Sequence, residues 1–66
     1  MKKLSINISG HLTSVSLENE FIEELQRIAA QQKKSVAQII REIDAERGGK
    51  TNLSSAVRVW ILGNIS

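Results

Sequence analysis

The chain has 66 residues, 41% of them hydrophobic, and 9 Lys and Arg against 7 Asp and Glu set its formal charge at +2. A single domain spanning residues 1–66 buries only about 60% of the surface its unfolded chain exposes, so it needs a staple or a partner. There is no cysteine and one histidine, His11, which excludes a disulfide or a thiolate metal site as the staple and points to self-association.

The charge is mildly basic. It is compatible with nucleic acid but lacks the basic tail or stripe that would identify such a partner by itself. Met1, Lys2 and Lys3 have the charge of a signal-peptide n-region, yet residues 4–8 interleave polar with apolar side chains. Neither an apolar h-region nor a membrane-spanning segment follows, so a cytoplasmic protein with no membrane partner is expected.

Leu4, Ile6 and Ile8 alternate with Ser5, Asn7 and Ser9, the period of a strand. Thr13, Ser14, Val15, Ser16 and Leu17 do so again, with Val15 and Leu17 on one face. The two apolar sets differ in parity, and one continuous strand would send them to opposite faces. A two-residue turn at Gly10-His11, with glycine first as a type II′ turn prefers, brings them together. It sets Ile8 opposite Thr13, Ile6 opposite Val15 and Leu4 opposite Leu17, and leaves Ser5, Asn7, Ser14 and Ser16 on the other face. The alternative is a loosely ordered N-terminal arm.

From residue 18 or 19 to residue 32 the period changes to about 3.6, with Phe21, Leu25, Ile28 and Ala29 as the apolar stripe. Glu18, Glu20, Glu23 and Glu24 come early, and Arg27, Lys33 and Lys34 come late, which suits the helix dipole. Glu23 and Arg27 form a favourable i,i+4 pair. Most of these charges are expected on a solvated face. Ser35-Val36-Ala37-Gln38 has the form of a capping box before Val36, Ile39, Ile40 and Ile43, the apolar stripe of a second helix. That helix should end near Arg47, because Gly48-Gly49 can supply a positive φ. Its N-terminus offers free N–H groups and a positive dipole end, so Lys33 and Lys34 beside Ser35 are candidates for meeting phosphate. After a loop at residues 48–51, Asn52 and Ser55 are candidate caps of a third helix. Its stripe is Leu53, Val57, Trp60 and Ile61, widened by Val59 and Leu62, and such a helix must be buried on several sides. Residues 56–62 also read as a buried strand on β-branched content alone. Trp60 reads as a core or interface anchor rather than a stacking platform.

Strand, helix, short basic turn and Ser-capped helix, in a chain of this size, resemble the ribbon-helix-helix (MetJ/Arc-like) superfamily. The likeness covers residues 11–62. It resembles in particular a small branch with a third C-terminal helix, which carries phrases similar to Ile43-Asp44-Ala45-Glu46-Arg47 and Asn52-Leu53-Ser54-Ser55-Ala56-Val57-Arg58. The resemblance implies an α+β fold, a ribbon-helix-helix homodimer with an N-terminal strand or hairpin followed by three helices. It also favours helix for residues 56–62. It implies that Val15, Leu17, Phe21, Leu25, Ile28, Val36, Ile39, Ile40, Ile43 and Trp60 form a core shared by two chains.

The function implied is transcription regulation on double-stranded DNA, with an antiparallel ribbon in the major groove. Leu12, Ser14 and Ser16 would face the bases, and Lys33, Lys34, Ser35 and Val36 the phosphates. Relatives usually place Arg, Lys, Asn, Gln or Thr at the outward positions, and many have a glycine where this chain has Gln32-Lys33-Lys34. Two serines discriminate bases poorly, and Leu12 offers contact with a thymine methyl. A hairpin at the N-terminus would make the dimer's sheet four-stranded, about 14 Å between outer strands, against a groove about 12 Å wide. The alternative function is a homodimeric module of the same fold that binds another protein through Trp60, Val59 and Leu62 or through the sheet edges. No nucleophile–base motif, metal-ligand spacing, glycine-rich phosphate loop or cofactor fingerprint is present. Gly48-Gly49-Lys50-Thr51 has the tail of a P-loop pattern without its first glycine or a preceding strand. Neither an enzyme, a cofactor nor a metal is expected.

Overall fold

The computed structural model describes residues 1–47 and 52–65. Its elements are β1 (Lys2–Ile8), β2 (His11–Leu17), α1 (Asn19–Gln32), α2 (Val36–Arg47) and α3 (Leu53–Asn64). They make an antiparallel two-stranded sheet followed by three helices, an α+β architecture.

The hairpin forms, but its turn lies one residue earlier than the glycine-first rule places it. Ile8 pairs with His11, Ile6 with Thr13, Leu4 with Val15 and Lys2 with Leu17. The two turn residues are therefore Ser9 and Gly10, with φ 51 and φ 83. Two positive φ values define a type I′ turn, whose twist matches that of the strands. Ser9 tolerates the left-handed conformation because the turn is held from outside it: the Gly10 N–H donates to Asn7 Oδ1 at 3.1 Å. The register differs by two from the expected one. Because side chains repeat every two residues, the faces are unchanged.

The inner face of the sheet meets the helices. Ile6, Val15 and Leu17 are buried, and Leu4 and Ile8 pack at the margin of the same cluster. From α1 the core takes Ile22, Leu25, Ile28 and Ala29, from α2 Ile39, Ile40 and Ile43, and from α3 Leu53, Val57 and Ile61. Each fully buried Leu or Ile contributes about 1.5–3 kcal/mol relative to exposure. Ile22 takes the position in the core that the stripe assigned to Phe21, because Ile22, Leu25 and Ala29 follow the 3–4 spacing one residue out of phase with Phe21. Phe21 sits half-buried beside it, as do Val36 and Trp60.

The helix ends follow side-chain chemistry. α1 starts after Glu18, whose side chain makes no cap bond; it reaches instead to Arg58. α1 ends at Lys33, which adopts φ 56, ψ 40. The Lys33 N–H donates to the Ala30 carbonyl at 3.2 Å and the Lys34 N–H to the Ala29 carbonyl at 2.9 Å, a Schellman closure. Ser35 caps α2, its Oγ accepting from the Gln38 N–H at 3.0 Å. Asn52 caps α3, its Oδ1 accepting from the Ser54 N–H at 2.9 Å and the Ser55 N–H at 3.4 Å; Ser55 thus donates to the cap and is not itself the cap. Arg27 pairs with Glu24 at 2.6 Å and not with Glu23, the i+3 carboxylate lying closer to its guanidinium. Val59 and Leu62, expected to widen the buried stripe, are 68% and 62% exposed in the single chain. The expected glycine C-cap of α2 and the loop with the P-loop-like tail fall at residues 48–51, outside the described residues.

Candidate nucleic-acid interface

Alternation along two paired strands sorts side chains by chemistry. The inner face is apolar and covered by helices. The outer face carries Lys3, Ser5 and Asn7 of β1 directly across from Ser16, Ser14 and Leu12 of β2. All of these but Ser16 are exposed, and Leu12 is 78% exposed. The three positions singled out on β2 thus stand on one solvent-facing surface, together with three side chains of β1. Parity in the sequence already placed Ser5 and Asn7 there; Lys3 joins them by the same rule.

Ser16 differs from its neighbours because α3 reaches it. Counting from the Ile8–His11 pair that closes the turn, alternate pairs exchange backbone bonds. Leu12, Ser14 and Ser16 therefore turn their backbone groups away from β1, along the free edge of the ribbon. At Ser16 that edge is occupied. The Ser16 N–H donates to Ser54 Oγ at 3.1 Å, and the Ser16 carbonyl accepts from Arg58 Nη2 at 3.3 Å. Arg58 Nε also donates to Glu18 Oε1 at 2.9 Å. The Arg58 bond is the main reason the Glu18 carboxyl is held below the usual glutamate range. No pattern in the sequence gives this contact, since its partners lie 38 to 42 residues apart.

The second candidate region is the start of α2. Lys33 is exposed, and Lys34, Ser35 and Val36 follow it directly into the helix. Ser35 is committed through its Oγ to the cap. Lys34 Nζ pairs with Glu42 Oε1 at 3.0 Å across two turns of α2. Its charge is therefore shared with a carboxylate before any anion arrives. Among the described residues no group of three His, Asp or Glu side chains is arranged to hold a metal ion. No helix among them is long and apolar enough to cross a membrane.

The family model for the ribbon-helix-helix domain matches residues 1–65. The chain belongs to that family, whose members are generally DNA-binding transcription regulators. No curated protein matches the chain, and no solved structure does.

Proposed function

We propose that the protein is a cytoplasmic, non-enzymatic regulator of transcription that binds double-stranded DNA as a homodimer, laying the polar face of an antiparallel ribbon in the major groove. The observation that carries this reading is the two-faced hairpin. Its inner face is locked in the core while its outer face presents Lys3, Ser5, Asn7, Leu12, Ser14 and Ser16. The major groove admits a ribbon of this kind. Lys33, Lys34 and the backbone N–H groups at Ser35 and Val36 then meet phosphates, as a positive helix end favours. With mostly short side chains toward the bases, backbone contacts dominate affinity.

The test is binding to duplexes drawn from the protein's own genome, titrated from low to physiological salt. A sequence-preferring complex that weakens steeply with salt is expected, because each neutralised phosphate releases counterions. Absence of any such complex, in a protein shown to be a folded dimer, overturns the reading. It would favour a protein-binding module instead, for which the exposed Val59 and Leu62 on α3 are the specific support.

A further inference from the structure

We propose that α3 guards the free edge of β2, and that this latch opposes the joining of two copies and opens as they join. Ser54 and Arg58 hold the Ser16 backbone groups that the outer rungs of an inter-chain ribbon need. The proposal rests on the homodimer reading and adds what restrains it. The two edges of the hairpin are protected in different ways. β1 carries Lys2 and Lys3, and lysine on an edge strand disfavours pairing with another strand. β2 carries no Lys, Arg, Asp or Glu, and it is exposed at Leu12 and Ser14. A second copy of the same strand fits this uncharged edge, set antiparallel by a two-fold axis that uses every group twice.

Leu12, Ser14 and Ser16 turn their N–H and C=O groups to that edge, as alternate residues of a paired strand do. The register that uses all of them sets Ser14 against its own counterpart and Leu12 against the second copy's Ser16. By symmetry Ser16 takes part in both outer pairs, so a latched Ser16 leaves only the central one. In the single chain the Ser16 N–H donates to Ser54 Oγ at 3.1 Å, and the Ser16 carbonyl accepts from Arg58 Nη2 at 3.3 Å. Glu18 keeps Arg58 in place, accepting from its Nε at 2.9 Å. Joining exchanges these bonds for a matching pair from Leu12 of the other copy. Ser16 stays satisfied throughout, and Leu12 gains partners on its open side. The guard thus closes the edge while a chain is alone, when an open edge would template irregular pairing. It yields when a second copy adds apolar burial to the exchange.

The experiment measures the dissociation constant of the full chain by sedimentation over a dilution series, for the parent, Ser54→Ala and Arg58→Met. Ser54→Ala removes the acceptor for the Ser16 N–H and leaves the Ser54 N–H on its Asn52 cap. Arg58→Met keeps a long side chain and removes the donor. Each variant should tighten the dimer by about five-fold or more, the net worth of one hydrogen bond, although each removes a bond from the single chain. Amide exchange supplies a second readout. In the Ser54→Ala dimer the Ser16 amide should stay protected, because the second copy's carbonyl takes the place of the lost hydroxyl. Association no tighter than the parent's in both variants, or a Ser16 amide that loses protection in the Ser54→Ala dimer, overturns the proposal and makes the latch a permanent contact. If parent and variants stay monomeric throughout the series, the homodimer reading itself falls and this proposal with it.

Discussion

Lys33 holds φ 56, ψ 40 at the end of α1, a conformation in which glycine carries no penalty and a side chain does. Here the turn closes with a lysine. Lys33→Gly should therefore stabilise the fold by about 0.5–1 kcal/mol, part of the relief being offset by the freer unfolded chain. It should also weaken DNA binding, with a salt slope smaller by about one for each subunit. Chemical denaturation and a salt titration of one variant separate the two effects; a variant no more stable than the parent would contradict the strain argument. Ser35→Ala, which removes the acceptor for the Gln38 N–H, should cost about 1 kcal/mol. Lys34 poses the reverse problem to Lys33, because Glu42 already partners it. A phosphate must compete with that carboxylate, so Glu42→Gln should tighten DNA binding. Its effect on stability should be small, since the ion pair is partly exposed and such pairs contribute about 0–1 kcal/mol. Weaker or unchanged binding by this variant would place Lys34 away from the DNA.

At the scale of elements, the hairpin and the α3 latch respond to different perturbations. Gly10 stands at φ 83, and a Cβ added there meets no heavy atom of the described residues within 4 Å. The cost of Gly10→Val is thus backbone strain rather than crowding. It should be about 1–2 kcal/mol, with faster amide exchange in β1 before the helices loosen. The latch is electrostatic. Glu18 has its carboxyl lowered below the usual glutamate range, chiefly by the Arg58 bond. A carboxyl lowered in the folded state contributes stability above its unfolded value and loses it as pH falls through the lowered folded value. The thermal midpoints of the parent and of Glu18→Gln should therefore converge on acidification below that range, and a gap independent of pH would show that the pair contributes nothing. How far the sequence foretold these elements follows from the range of the forces involved. Period, parity and caps act over a few residues, so the two strands, the first two helices, the Ser35 cap and the Asn52 cap were legible. Residues 56–62 also read as a strand, and only the family resemblance favoured the helix found there. The turn shifted by one residue because two turn types compete near Gly10 and both preserve the faces. The Ser54–Ser16–Arg58–Glu18 contact was not legible, since only tertiary packing brings those residues together. For the candidate site, parity gave the outer face, and the free backbone edge of β2 needed the structure.

At the scale of the whole molecule, one chain assembles a core from both strands and all three helices, yet it leaves apolar surface uncovered. Val59 and Leu62 stand exposed on α3, and Phe21, Val36 and Trp60 are half-buried at the core margin. A chain of 66 residues is marginal by size alone, so covering these side chains with a second copy is the expected source of its remaining stability. A homodimer would carry twice the +2 of one chain, a modest field that would assist encounter with DNA without fixing where it binds. With folding coupled to dimerisation, the thermal midpoint should rise with protein concentration. Trp60 is the single tryptophan and lies at the margin a partner would cover, so its emission reports the same event independently. Dilution through the dissociation range should shift that emission to longer wavelength as the indole meets water, in step with the fall in midpoint. A midpoint independent of concentration, an emission maximum unmoved by dilution and a monomer mass in solution would together show that the single-chain core suffices. In that case each hairpin would meet DNA alone, and binding would lose the paired half-sites that a two-fold dimer imposes.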